Sequence, residues 1–284
     1  GINEDRPFLF DSALAAAIWH PFFQGPDPTY LRRAMHTRAR LIELVDDPRS
    51  GVLIRPLTEY SRAGAAPPWW MEGLGMVTAA LPAGRAGAFR VEVPVADTSH
   101  YLPWLEREAS ARGIAVAERD VTSLAETAEG AALVVNCTGF AASRLASDRT
   151  MDLVRGVVVR CAAPAEPVGC HIDDSDPRAP TYVIERSADL VLGGSAQPGL
   201  VSTIAPAEVI ADIRRRCAEL VPSTADLAAL DTAVGFRPAR PEVRLERDPE
   251  IPNVVHNYGH GGAGFTLSWG CAADVVSLAT TIVG

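Results

Sequence analysis

Val254–Val283, VVHNYGHGGAGFTLSWGCAADVVSLATTIV, is the stretch from which the fold is read. Val254 and Val255 lead an extended segment toward Tyr258. Gly259, Gly261, Gly262 and Gly264 then make a turn that glycine forms at least cost, because it enters positive φ freely. Beyond the turn Phe265, Trp269, Ala272, Val276 and Ala279 recur every three or four residues, the period of a helix. Strand, turn and helix in this order aim free backbone N–H groups and the positive end of a helix dipole at whatever lies above the turn. Such a place suits an anion, or a group that becomes anionic during reaction. The spacing Gly259-x-Gly261-x-x-Gly264 also matches the dinucleotide fingerprint. That fingerprint needs another strand after the helix and an acidic residue ~20 positions on, whereas the sequence stops at Gly284. The turn is therefore expected to be the last element of a sheet. The bare alternative is a tight turn without a ligand; His260 and Tyr258 among four glycines favour a ligand.

Outward from this stretch, Ala131–Cys137 (AALVVNC) is a continuous apolar run, as expected of a parallel strand covered on both faces. It ends at Thr138-Gly139, and open α/β sheets bind ligands at the carboxyl ends of such strands. Val157–Val159 begins another strand region, and Thr181–Ile184 with Leu190–Gly194 reads as a hairpin. Ile114–Glu118 reads as a short strand. Val91, Val93 and Val95 alternate with Glu92 and Pro94, which suggests an edge strand. The two prolines of Val234–Glu246 (VGFRPARPEVRLE) argue against a central strand there. Asp27-Pro28 starts a helix whose face carries Leu31, Met35, Leu41 and Leu44. Ser99 caps a second helix, with Tyr101, Leu102, Leu105 and Ala109 on one face and Gly113 closing it. Pro206–Leu220 is a third, with Arg214-Arg215-Arg216 as its solvated face. Ser12–Trp19, small and apolar, can pack against a flat ligand or another helix. An α/β layer is expected from residues 1–22, 97–158 and 250–284, and a mostly antiparallel, β-rich layer from 23–96 and 159–249.

Composition narrows the chemistry. The 284 residues are 48% hydrophobic, enough to bury a sizeable core in one or two domains. No apolar run is read as approaching the ~18 residues of a membrane span, and no signal peptide is recognised, so a soluble cytoplasmic protein is expected. The net charge of −9, with no basic stretch interleaved with aromatics, argues against nucleic acid. All 26 basic residues are arginine. Without lysine there is no Schiff-base chemistry and no P-loop. The five cysteines form no C-x-x-C pair and read as reduced, mostly buried thiols. The six histidines are dispersed, and no metal site is expected.

The segment VVHNYGHGGAGFTLSWGCA resembles the hallmark of the D-amino-acid oxidase family of FAD-dependent flavoproteins. AAAIWHPF (Ala15–Phe22), YLPWL (Tyr101–Leu105), VVNCTG (Val134–Gly139), VRG (Val154–Gly156), PTYVI (Pro180–Ile184), LGG (Leu192–Gly194) and GFRPARPEVRLE (Gly235–Glu246) resemble further family segments in the same order. The resemblance spans nearly the whole chain. It implies a Rossmann-like FAD-binding layer joined to a mixed β-rich substrate layer. It also implies hydride transfer from the Cα of a D-amino acid to the flavin, with 2-oxo acid, ammonia and H2O2 as products and O2 as acceptor. No membrane or nucleic-acid partner is implied, and a homodimer is compatible with it.

Residue by residue, the resemblance makes Arg237 the carboxylate-binding arginine, a task suited to the guanidinium fork. Tyr182 becomes a hydroxyl on the same carboxylate, and Gly262 the carbonyl that accepts the substrate amine. Gly261, Gly262, Gly264, Phe265 and Thr266 match cofactor contacts, as do Thr138, Gly139, Ala16, Ala17 and Val121. His20 aligns with a polar residue of the substrate pocket. Arg178 stands where the family has a lid tyrosine. Taken alone, Arg237 reads as a surface ion-pair arginine, Tyr182 as a half-buried strand residue and His20 as a buried hydrogen-bonded histidine. Arg240 and Arg244 read as structural. Family members open with a strand, a G-x-G-x-x-G turn and a helix for the FAD pyrophosphate, a unit of about 30 residues. This sequence starts beyond it, with Phe10 and Asp11 at the following phosphate-contact places, so the FAD layer is expected to be incomplete at its N-terminus. The opposed reading is a flavin-free relative, a binding protein or a non-redox enzyme.

Overall fold

The computed structural model describes residues 11–22, 27–61, 66–81 and 85–284. Phe10 lies outside the described residues, as does the side chain of Asp11. Helices are α1 (Asp11–Leu14), α2 (Pro28–Leu44), α3 (Thr98–Ala111), α4 (Leu124–Ala128), α5 (Ala142–Leu145), α6 (Ala207–Leu220) and α7 (Gly264–Val283). Strands are β1 (Val52–Ser61), β2 (Val77–Thr78), β3 (Gly87–Ala96), β4 (Val134–Asn136), β5 (Asp152–Ala162) and β6 (Cys170–Asp173). They continue with β7 (Thr181–Glu185), β8 (Asp189–Gly193), β9 (Gln197–Pro198), β10 (Ala229–Arg247) and β11 (Val254–His260). The eleven described strands form one sheet, ten of them in the order β2-β3-β1-β6-β7-β8-β5-β10-β11-β4, with β9 pairing β5 off this path. Among the described strands only the pairs β1/β6 and β11/β4 are parallel. The fold is thus α/β with a large mixed sheet.

Helices cover both faces. Cys217, Ile213 and Leu220 of α6 pack on Val157, Val159, Val183, Leu190 and Leu192. Leu41 of α2, Tyr101 and Trp104 of α3, and Leu267 and Cys271 of α7 share the other core with Val93, Val95, Val158 and Ile184. Each large side chain so buried contributes roughly 1.5–3 kcal/mol. The α2–α7 crossing depends on Gly270, where a Cβ would lie 2.2 Å from the Arg33 carbonyl oxygen.

Local signals act as expected at several ends. Asp27 caps α2, accepting from the Tyr30 N–H at 2.7 Å. Val91, Val93 and Val95 are all buried in β3, while Glu92 is exposed; β3 is not an edge strand as expected, because β2 and the 17–19 segment pair along its other side from β1. The 181–193 hairpin forms, with Tyr182 opposite Gly193. The closing stretch folds as β11, a 3-10 turn at Gly261–Ala263, and α7; Gly259 and Gly261 have φ of 82° and 54°.

Other expectations are corrected. Asp97, not Ser99, caps α3: its carboxylate accepts from the Ser99 N–H. Ile114–Glu118 is not a strand, because no described strand pairs with it and Ile114 and Val116 are exposed. β4 is parallel but short, and Val135 is 38% exposed, so only one face is covered. The segment with Pro238 and Pro241 does lie inside the sheet, as β10. It changes ladders along its length, pairing with β5 through Ala239 and with β11 mainly through Arg244–Arg247. Pro241 falls in the register shift between these ladders, where no backbone donor is required. Arg214 and Arg216 are not solvated: they bind carbonyls at the ends of neighbouring strands. Gly261–Val283 is long and apolar enough to pass for a membrane span by composition, with a mean hydropathy of 1.3. Its one charge, Asp274, is held by Arg32 and Arg33 of α2.

Candidate active site

Four neighbouring strands, β7, β8, β5 and β10, form the floor of the site. Tyr182 on β7 lies across β8: a Cβ on Gly193 would come within 2.1 Å of its ring, and one on Gly194 within 2.8 Å of its hydroxyl. Arg237 on β10 reaches back across β5, where a Cβ on Gly156 would come within 2.6 Å of Nη1. The glycines leave a bare strip of backbone over which the two side chains approach each other, close enough for the guanidinium to act on the phenol. Arg237 Nη1 also donates to the Ser195 carbonyl at 3.1 Å. Burial pushes the Tyr182 phenol above its ordinary pKa of 10.0, against the pull of Arg237. Tyr182 therefore remains a neutral hydroxyl, able to donate.

The far wall comes from the 3-10 turn and the 18–22 segment. A Cβ on Gly262 would lie 3.1 Å from Phe22 Cζ and 3.4 Å from Arg237 Cδ. Phe22 stacks on His20, with ring centroids 5.8 Å apart. His20 Nε2 lies 2.8 Å from Glu59 Oε2. Burial lowers the His20 pKa, but Glu59 outweighs it and the net shift is upward. Asp174 is raised by desolvation and interacts with His20, Glu59 and Arg237. The space over the glycine strip thus has a fixed guanidinium at one end and an imidazole–carboxylate pair at the other.

The structure brings Gly261, Gly262, Gly264, Phe265 and Thr266 to this same edge, at the start of α7. No side chain caps either the 3-10 turn or α7, so the helical start keeps its partial positive charge. The Thr266 hydroxyl is committed to the His20 backbone, accepting from its N–H at 3.1 Å and donating to its carbonyl at 3.2 Å. It therefore ties the 16–22 segment to α7. Ala16 and Ala17 lie on that segment, which is bonded to β3 through Ala17 and Trp19. Phe265 meets Tyr101 edge-on at 5.9 Å. Thr138 and Gly139 follow β4 as Gly261 follows β11, so both turns leave the carboxyl end of the same parallel pair. A Cβ on Gly139 would lie 3.8 Å from Pro238 Cγ, next to Arg237. Val121 is tied to α5, where Arg144 donates to its carbonyl at 3.3 Å. Small residues, an uncapped helical start and turns built of glycine fit the ring end of a flavin dinucleotide. The polar rim of such a ring needs backbone N–H donors, and its flat face needs close approach.

Arg178 stands apart. It is exposed and shares a cavity of about 210 Å³ with Ser195 and with Glu208, Asp212 and Arg216 of α6. Arg216 is a residue that sequence reasoning misplaced. Its guanidinium donates to Gly194 O at 2.8 Å, Ala179 O at 3.0 Å, Pro180 O at 3.1 Å and Thr181 Oγ1 at 2.6 Å. It thereby ties the start of β7, which carries Tyr182, to the end of β8. Gly156, Gly193 and Gly194 were visible only as parts of VRG and LGG, without a role. Arg240 and Arg244 are structural as expected, bonded to Asp148 and Tyr258.

Residues 11–278 match the family model described as FAD dependent oxidoreductase. The chain is 40% identical over 289 residues to a D-amino-acid oxidase of Rubrobacter xylanophilus, covering 98% of this chain and 87% of that one. It is 37% identical to a D-amino-acid oxidase of Streptomyces coelicolor, covering 95% and 85%. Among solved structures, glycine oxidase from Geobacillus kaustophilus superposes with a TM-score of 0.79 at 19% identity, covering 95% of this chain and 85% of that one.

Proposed function

This chain belongs to the FAD-dependent oxidoreductase family that includes D-amino-acid oxidase, and we propose that it oxidatively deaminates a D-amino acid. The observation that carries the reading is the meeting of Arg237 and Tyr182 over the bare strip of Gly156, Gly193 and Gly194, beside Gly262.

The substrate carboxylate is taken by the guanidinium of Arg237. Ser195 occupies one of its donors and fixes the plane of the fork, leaving the others for a charge-assisted pair. Tyr182, held neutral, adds an O–H donor to the same carboxylate. The Gly262 carbonyl accepts from the substrate amine. With both ends held, the Cα–H has one direction left, and this selects the hand of the substrate. Bound FAD supplies the two-electron acceptor, with O2 taking the electrons onward to H2O2. The residues that would hold it are Ala16, Ala17, Val121, Thr138, Gly139, Gly261, Gly264, Phe265 and Thr266. The positive start of α7 favours negative charge on the ring when it is reduced. Cα loses a hydride and the nitrogen a proton, and water converts the released imino acid to 2-oxo acid and ammonia. No side chain need remove the Cα hydrogen as a proton.

The purified protein should show flavin absorption near ~450 nm and release H2O2 with a D-amino acid but not its enantiomer. A protein that stays colourless after addition of FAD overturns the reading.

A further inference from the structure

We propose that His256, acting through Asn136, is a positioning residue for the cofactor-facing Thr138–Gly139 turn. The proposal rests on the cofactor reading of that turn given above. His256 and Asn136 are cross-strand neighbours on β11 and β4, 0% and 1% exposed. The Asn136 amide oxygen accepts from the Thr138 N–H at 3.2 Å and from its Oγ1–H at 2.7 Å. With the oxygen thus committed, the NH2 group faces His256 Nδ1, 3.1 Å away. An NH2 group can only donate, so Nδ1 is the bare, accepting nitrogen and the ring proton sits on Nε2. Nε2 lies 2.8 Å from Asp248 Oδ2 and donates to it. Asp248 is itself anchored, accepting from the Glu250 and Ile251 N–H groups at 2.8 and 2.7 Å. Against burial, these bonds hold its carboxyl below the ordinary range. The run Thr138–Asn136–His256–Asp248 is therefore polarised in one direction, each member's donor meeting the next member's acceptor.

The end of the run is what matters for function. Pairing of β4 with β11 is already secured by the backbone ladder and by Asn253, whose amide binds Ala128 O and Ala131 O. What the side-chain run adds is the orientation of an exposed hydroxyl. Thr138 Oγ1 has spent its hydrogen on Asn136 and is left as an acceptor. That suits a donor on the cofactor, a chain hydroxyl or an imide N–H. Gly139 follows with φ 57°, so the turn has little freedom of its own to correct a misplaced Thr138.

The test is FAD affinity, followed by flavin fluorescence on dilution of the holoenzyme well below each variant's melting temperature. Thr138→Ala should weaken binding about 10-fold, the loss expected for one hydrogen bond to the cofactor. His256→Phe keeps the ring's bulk, breaks the run and should weaken binding to a similar degree. His256→Gln can accept from Asn136 and donate to Asp248, and should restore affinity to within about 3-fold. A purely structural His256 would change the melting temperature and leave the affinity alone. If Thr138→Ala weakens binding and His256→Phe does not, the inference is wrong while the site stands. If Thr138→Ala has no effect, the cofactor reading of the turn fails and this inference with it. Should His256→Phe not fold, ¹⁵N NMR of the wild-type imidazole decides: a proton on Nδ1 rather than Nε2 overturns the proposal.

Discussion

Gly156→Ala separates the substrate site from the fold. A methyl at this position would lie 2.6 Å from Nη1, 2.7 Å from Nη2 and 2.8 Å from Cζ of Arg237. Ordinary contact begins near 3.4 Å, so the guanidinium must withdraw by the difference between 3.4 and 2.6 Å, about 0.8 Å. What moves is the end of a flexible side chain rather than backbone, and β5 and β10 keep their ladder. The cost to stability should stay below about 1 kcal/mol. The cost to binding should be larger, because a misplacement of ~1 Å is worth roughly 100-fold where a substrate is held by a fixed fork. KM for the D-amino acid should rise about 10- to 100-fold. The inhibition constant of a plain carboxylate lacking the amine should rise with it, since the loss is at the carboxylate end. The assays are H2O2 release at varied substrate, carboxylate inhibition, and a thermal melt. A folded Gly156→Ala protein with both constants within about 2-fold of wild type would refute the placing of the carboxylate on Arg237.

Three further outcomes are expected. Gly270→Ala should destabilise by about 3 kcal/mol or more, because its methyl meets Arg33 backbone at 2.2–2.6 Å and α2 must move away from α7; a melting temperature within about 2 °C of wild type counts against that crossing. Arg216→Met should cost about 3 kcal/mol by stranding the Ala179, Pro180 and Gly194 carbonyls and should also raise KM through Tyr182; an unchanged KM in the folded variant removes Arg216 from the site. His260 has its pKa lowered from 6.5 to about 4 by desolvation and by Arg33. The folded state binds fewer protons there than the unfolded chain, so this stabilisation is complete above pH 6.5 and declines as pH falls toward 4. It amounts to no more than about 3 kcal/mol, less for a ring with some exposure. Imidazole titration by NMR checks this, and a midpoint at 6 or above contradicts it.

Much of the fold was legible because its signals are local. Asp27 before Pro28, the alternation of Val91, Val93 and Val95, and the glycines at 259 and 261 each act on the next few bonds of the chain. Where the reading failed, a distant partner decided. Ile114–Glu118 has strand-forming residues, yet pairs with no described strand. Pro238 and Pro241 looked incompatible with a sheet interior, yet β10 exchanges β5 for β11 across the register shift from Ala239 to Arg244, in which Pro241 falls. Arg216 sits among charges typical of a solvated helix face, and only the arrival of three carbonyls from other elements makes it a clamp.

The site divides in the same way. The sequence by itself determined the strand–turn–helix of 254–283 and, through its motifs, singled out Arg237, Tyr182 and Gly262 as candidates. These follow from φ preference, period and side-chain chemistry, properties that a residue carries with it. The tertiary structure decided that Tyr182 and Arg237 meet, because they approach from opposite sides of two strands whose glycines leave room. It also decided that His256, Asn136 and Asp248 form one directed chain of hydrogen bonds ending at Thr138. Such properties belong to pairs separated by 55 or 120 positions, and no local rule encodes the distance between them.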